Sequence, residues 1–288
     1  MPLIPLDLPA GIYRNGTDLQ SQGRWRDSNL VRWHDGTMQP IQGWRLRSDT
    51  ATLDITRSLN AWLDNSDNRW IAAGTYRKLY IYDVNSALFD ITPTGLTAGT
   101  ETSIDSTAFG GGVFGADGYG EPRLERSTGN PATTWSLDTF GQNLVACSTS
   151  DGKIYEWTLN TGTIAAQVTN APVGNTGIMV TDERFLFALG AAGNPRKVQW
   201  CDRENNTLWT PAATNEAGSI ELQTVGRIQC GVKVQNQALI LTTTDAHTAT
   251  YSGPPYVYGI ERVGTSCGIV SAQGVSVVDA GAFWMGKE

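Results

Sequence analysis

One short phrase recurs along the chain. It consists of a hydrophobic run, a small-residue step, a Gly or Asp-Gly turn, a basic residue and a run that ends in an aromatic. It first appears at residues 70–83, Trp70-Ile-Ala-Ala-Gly-Thr-Tyr-Arg-Lys-Leu-Tyr-Ile-Tyr-Asp83. A closer version is Asn143-Leu-Val-Ala-Cys-Ser-Thr-Ser-Asp-Gly-Lys-Ile-Tyr-Glu-Trp157. Looser copies occupy residues 184–202 and 238–251, and a fifth begins at Gly274 and reaches Trp284. Each reads as two strands joined by a tight turn, because β-branched and aromatic residues favour a pleated surface and Gly supplies the positive φ of the turn. Repetition at roughly 40–50 residue spacing predicts a β-propeller. The expected fold is all-β, a propeller of about five to six blades with an extended N-terminal arm, and such a scaffold does not by itself define a reaction.

Composition supports short strands and turns. Of 288 residues, 40% are hydrophobic and only 17% charged, and Gly numbers 32, a profile of many turns rather than long helices. No segment of ten residues shows the i, i+3, i+4, i+7 apolar spacing of an amphipathic helix. Ten Trp residues suit packed blades and subunit interfaces alike. The formal net charge of −7 argues against a protein that grips nucleic acid by neutralising phosphates. Residues 1–50 hold six Arg against five Asp, a balance of +1, which leaves −8 for the remainder. The arm is therefore rich in Arg and free of Lys, as interface segments often are.

The sequence divides into an arm and hairpin over residues 1–48 and a propeller body over 49–288. The arm opens on a Pro-punctuated, extended stretch, since each residue before Pro is pushed toward β or polyproline geometry. It continues through Arg24-Trp-Arg-Asp-Ser-Asn-Leu-Val-Arg-Trp33 into a hairpin turned at Asp35-Gly36. Residues 52–86 hold the first clear blade, and residues 88–135 read as an irregular Gly-rich insertion. The final hairpin lacks a return strand. Either the arm completes the last blade or relatives are longer. No apolar run approaches a membrane span, and no basic, apolar leader opens the chain.

Candidate chemistry is sparse. Gly110-x-Gly112-x-x-Gly115 matches a dinucleotide fingerprint in letters, but it lacks the strand before and helix after that hold a pyrophosphate. His34 and His247 are the only imidazoles and read as polar turn residues; no Gly-x-Ser-x-Gly elbow accompanies them. Asp151, Asp182, Glu183, Asp202, Glu204, Glu216, Glu221 and Asp245 fall at expected blade turns, where Asp commonly binds its own backbone. A glycosidase pair would draw on the same residue type. Cys147, Cys201, Cys230 and Cys267 are widely spaced in apolar contexts and read as free thiols in blade cores, with no metal pattern. The sequence thus predicts no catalytic residue, cofactor or metal. Interface chemistry instead concentrates in Arg24, Trp25, Arg26, Arg32, Trp33 and Trp44.

The arm, from Leu8-Pro-Ala-Gly-Ile-Tyr-Arg-Asn-Gly-Thr-Asp18 to Asp27-Ser-Asn-Leu-Val-Arg-Trp33 and on through Gly36, Pro40, Gly43 and Trp44, resembles the opening of virion proteins of tailed bacteriophages. Downstream, Trp209-Thr, Gly226-Arg-Ile, Leu239-Ile-Leu-Thr, Gly264-Thr-Ser-Cys-Gly268-Ile-Val-Ser271 and Phe283-Trp-Met-Gly286 resemble their propeller. The family is that of tail-hub, or packaged-DNA stabilisation (tail nozzle), proteins of short-tailed phages. The resemblance spans roughly residues 5–48 and 175–288. It implies a structural, non-enzymatic subunit of the virion tail, made in the host bacterial cytoplasm. Such subunits form a homo-oligomeric, hexameric ring below the portal-adaptor that retains packaged DNA and conducts it at ejection, with transient non-specific contact to double-stranded DNA. A carbohydrate-binding or glycan-cleaving propeller used in receptor recognition is the alternative, and a cellular interaction hub a third reading.

Overall fold

The computed structural model describes residues 8–41, 43, 46, 48, 50–103, 131–279 and 281–286. The chain divides into two compact units, Met1–Asp49 and Thr50–Glu288.

In the second unit, four successive four-stranded antiparallel sheets form in chain order. The first comprises β3 (Ser58–Leu63), β4 (Arg69–Gly74), β5 (Leu79–Tyr82) and β6 (Leu88–Asp90). The second comprises β7 (Trp135–Phe140), β8 (Asn143–Ser148), β9 (Ile154–Trp157) and β10 (Ala166–Gln167). The third comprises β11 (Gly177–Val180), β12 (Leu186–Leu189), β13 (Lys197–Trp200) and β14 (Gly218–Glu221). The fourth comprises β15 (Ile228–Val234), β16 (Gln237–Thr242), β17 (Ala246–Gly253) and β18 (Val257–Gly264). A fifth sheet holds two strands among the described residues, β19 (Val275–Val278) and β20 (Gly281–Trp284). The helical turn among these residues is the 3₁₀ segment Ala191–Gly193. First strands stand beside first strands: β3 by β7, β7 by β11, β11 by β15, β15 by β19. Sequential four-stranded meanders joined through their first strands are the blades of a β-propeller.

Strand periodicity explains why the second strands are apolar on both faces. Successive side chains point to opposite faces of a sheet, and a blade has a neighbour on each side. Thus Leu144 and Ala146 of β8 enter the core with β5 residues Leu79 and Ile81, while Val145 and Cys147 enter the core with Ile178 and Leu186. In β12, Leu186 and Ala188 face the second blade, whereas Phe187 and Leu189 join Ile240 and Tyr258 of the fourth. In β16, Ala238 and Ile240 face the third blade, while Leu239 and Leu241 join Ile269 and Trp284. One apolar cluster therefore fills each of the four gaps between successive blades. Burial of this kind stabilises at about 25 cal/mol per Å² of apolar surface.

Polar bolts join the first strands. Trp135 N donates to Ser58 Oγ at 2.9 Å, and Ser136 Oγ donates to Ile178 O at 2.7 Å. Val180 N donates to Asp138 Oδ2 at 2.7 Å, while Trp135 Nε1 reaches beyond the first strand to Thr75 O, just after β4, at 2.7 Å.

Several expectations shift. The first blade extends to Asp90, so the stretch read as irregular from residue 88 begins with a paired strand. The fifth phrase is displaced: the first four copies are second and third strands, but β19 packs beside β15 and so leads its blade. Apolar alternation cannot report radial position. His247 is no turn residue: it lies in β17, 4% exposed, because that strand begins at Ala246.

Candidate functional site

In the first unit, Val31–His34 (β1) and Thr37–Pro40 (β2) pair as a hairpin. Asp35 and Gly36 both have positive φ, 49° and 74°, the backbone a two-residue type I′ turn demands. Ahead of it, Thr17 and Gln20 close a reciprocal pair: Thr17 N donates to Gln20 Oε1 at 3.1 Å and Gln20 N to Thr17 Oγ1 at 3.4 Å. That turn brings Trp25 back beside Ile12, and Tyr13 N donates to Trp25 O at 2.8 Å.

The residues expected to act as anchors converge here. The Trp25 and Trp33 rings meet at 5.9 Å in a tilted pair. Arg24 lies over the Tyr13 ring at 5.2 Å, Arg26 pairs with Asp18, and Arg32 Nη2 donates to Gln39 Oε1 at 3.4 Å. Arg14 pairs with Asp27 at 2.7 Å. Trp44 lies outside the described residues. The guanidinium groups thus have partners within the unit while remaining exposed, and exposed pairs of this kind contribute about 0–1 kcal/mol each. Two features escape sequence reading. The indole N–H groups of Trp25 and Trp33 are buried with no acceptor among the described residues, and Leu19 and Leu30 stand 84% and 71% exposed. An unpaired buried donor costs about 1–3 kcal/mol, so this small aromatic centre is held by ring packing and not by its polar ends.

In the second unit, a cavity of about 660 Å³ opens between the third and fourth blades, with Arg196, Thr224, Asp245 and Arg262 among its walls. Arg196 is tied to Glu221 at 2.6 Å, and Asp245 accepts from Thr224 Oγ1 at 2.7 Å. A second cavity, about 620 Å³, lies where the first strands begin and touches all five blades. Its lining is mixed: Ser58, Ser136, Thr149, Asn175 and Gln273 offer hydroxyls and amides, Arg227 a cation, and Leu59, Leu137 and Val232 apolar surface. Near the other ends of the first strands, a cavity of about 260 Å³ mixes Asp182, Arg184 and Lys233. Acidic charge is therefore not gathered along the inner strands.

Several carboxylates serve as turn and blade fasteners. Asp151 Oδ1 accepts from Lys153 N at 3.1 Å, Asp202 Oδ1 from Glu216 N at 2.8 Å, and Glu156 bridges Asn143 and Asn206 at 2.8 and 2.9 Å. Asp138 is pushed above the usual carboxylate range by burial, an effect that Lys233 nearby partly opposes. Burial holds His247 below the usual imidazole range, and its Nδ1 has no partner among the described residues. The four cysteines are free, Cys147 and Cys201 buried, Cys230 and Cys267 half-buried. Burial raises the Cys201 and Cys230 thiols to about 12, far from the thiolate a nucleophile needs. Among the described residues no cluster of His, Cys, Asp and Glu could hold a metal, and no helix is long and apolar enough to cross a membrane. The Gly110–Gly115 match lies outside the described residues.

No protein-family model and no curated protein sequence matches the chain. Among solved structures it is similar to BBS1N in a complex with ARL6DN, at TM-score 0.42 and 15% identity over 82% of this chain and 60% of that one. It is similar to the virginiamycin B lyase from Staphylococcus aureus at TM-score 0.35 and 10% identity over 84% of this chain and 64% of that one, and to a streptogramin B lyase at TM-score 0.35 and 9% identity over 84% and 63%. The chain spans less than two thirds of the length of each. At these scores the propeller assignment stands on strand order and inter-blade cores alone.

Proposed function

We propose that this chain is a structural subunit of a short-tailed phage tail. Copies form a closed ring below the portal-adaptor that retains packaged DNA and conducts it at ejection. The observation that carries the reading is a compact Arg/Trp-rich N-terminal unit, whose sequence resembles the opening of tail-hub proteins, joined to a propeller. Commitment of several carboxylates to turns and blade contacts supports a scaffold over a hydrolase. With five Lys and a net charge of −7, the protein has little capacity to neutralise phosphates, which suits a surface past which DNA moves.

The test is a titration of duplex DNA against the full chain across salt concentrations. The reading expects binding no tighter than the nonspecific range, roughly 10⁻⁴–10⁻⁶ M at physiological salt, with a shallow salt slope. A steep slope, implying six or so phosphate contacts per copy, would show a DNA clamp and contradict it. Strong binding on a glycan array would favour the receptor-recognition alternative.

A further inference from the structure

The cavity between the third and fourth blades is walled by three connections: 222–227 between β14 and β15, 243–245 between β16 and β17, and the start of 265–274 between β18 and β19. Backbone bonds tie them together. Thr243 N donates to Arg227 O at 2.9 Å, Cys267 N to Thr244 O at 3.0 Å and Ile269 N to Thr242 O at 2.9 Å. Gly268 permits the close approach of the last connection, since a Cβ there would collide with the Thr243 backbone. Hydroxyls fasten the turns from within: Thr242 Oγ1 accepts from Thr244 N at 3.1 Å and Asp245 N at 2.8 Å, and Thr224 Oγ1 accepts from Gly226 N at 3.0 Å. Walls held in this way leave little ordering cost for a ligand to meet.

Inside them, Asp245 is only 7% exposed and half satisfied. Its Oδ2 accepts from Thr224 Oγ1 at 2.7 Å, while its Oδ1 accepts no hydrogen bond among the described residues. A buried carboxylate oxygen without a donor is costly. Arg262 of β18 lines the same cavity and makes neither a hydrogen bond nor an ion pair among the described residues, with Asp245 or with any other group. Arg196 differs, because its Nη2 donates to Glu221 Oε1 at 2.6 Å and its Nη1 to Thr224 O at 3.3 Å. One guanidinium and one buried carboxylate oxygen are therefore left facing the space, with the hydroxyls of Thr265 and Ser266 beside them.

These groups narrow the ligand. A lone guanidinium suits one planar carboxylate, which it can grip through two parallel N–H···O bonds. Asp245 Oδ1 needs a donor, and a sugar hydroxyl supplies one. No aromatic side chain is among the described residues of the lining, so a nucleotide base would find no ring to stack on. The volume, about 660 Å³, falls in the range of small-molecule sites. We propose that this cavity binds an acidic sugar of the uronic acid type, with its carboxylate on Arg262 and a ring hydroxyl donating to Asp245 Oδ1. This goes beyond the ring reading and does not rest on it.

Titration calorimetry of the full chain tests it, with disaccharides of glucuronate, galacturonate and mannuronate as probes, each beside its neutral hexose counterpart. At least one acidic disaccharide should bind saturably, and its neutral counterpart about tenfold or more weakly. Arg262→Gln, at an exposed position, should bring the acidic sugar down to the level of the neutral one. Asp245→Asn, which keeps an oxygen for Thr224, should weaken both, with circular dichroism to show that each variant is folded. Absence of saturable binding by every acidic probe would overturn the proposal, as would neutral sugars binding equally well or Arg262→Gln changing nothing. Inorganic phosphate that binds as tightly as the best sugar would show a plain anion site and overturn it too. Native mass measured in parallel separates this from the ring reading. A closed oligomer that binds no sugar leaves the ring standing and removes the site, whereas a monomer that binds the acidic sugar does the reverse.

Discussion

Asp138 shows how one carboxylate serves the fold at a cost. It receives the Val180 N–H across a blade junction and the Thr139 N–H locally, yet burial lifts its pKa above 3.8, with Lys233 opposing and Asp182 reinforcing the shift. A group raised in the folded state contributes most below its unfolded pKa, and that contribution falls away as pH climbs through the folded value. Asp138→Asn keeps an oxygen for Val180 and removes the charge. Relative to wild type, the variant should therefore gain stability as pH rises from about 3 to 7. Urea unfolding of both proteins across that range checks this, and a pH-independent gap would refute it. Gly74 is constrained differently. A Cβ there would sit 2.4 Å from the Trp135 ring, which is 1% exposed and fixed by its bond to Thr75. Gly74→Ala should destabilise by about 1–3 kcal/mol, read from the shift of the urea midpoint at constant m-value.

At the scale of the strand, legibility in sequence tracked burial on two faces. Leu-Val-Ala-Cys in β8 and Leu-Phe-Ala-Leu in β12 are near-continuous apolar runs because each serves two cores, and the repeat phrase found them. First strands were less visible: β7 reads Trp-Ser-Leu-Asp-Thr-Phe because Ser136 and Asp138 bolt onto the next blade. Outer strands such as Ala166–Gln167 are short and exposed, so they carry no pattern at all. In the arm, residue type was legible and partnership was not. Arg26 meets Asp18 only because the Thr17–Gln20 turn folds the chain back. Phe187, between Trp200 at 5.8 Å and Tyr258 at 4.8 Å, gives the element-scale prediction. Phe187→Ala should cost about 3–5 kcal/mol in urea unfolding, and a loss under 1 kcal/mol would mean the third and fourth blades do not share a packed core. The arm can be tested as an element too. Deletion of residues 1–48 should leave β-rich circular dichroism intact while abolishing higher assembly; assembly that survives would reduce the arm to local packing.

For the whole molecule, two sheet faces stand out because no blade among the described residues covers them. One is the far side of the first blade, with Leu59 at 70% and Leu63 at 55% exposure; the other is the far side of the fifth, with Phe283. Large exposed apolar residues on sheet faces mark contact surfaces. They sit in a body whose balance is −8 against +1 for residues 1–50, so association through apolar contacts and repulsion of phosphate can operate on the same scaffold. The central claim is that copies of this chain close into a ring. Native mass spectrometry of the purified full chain, repeated over a range of protein concentrations, tests it most directly. The account predicts one dominant species, a hexamer, whose mass does not grow with concentration. A monomer at every concentration, or an open-ended series of ever larger species, would contradict it.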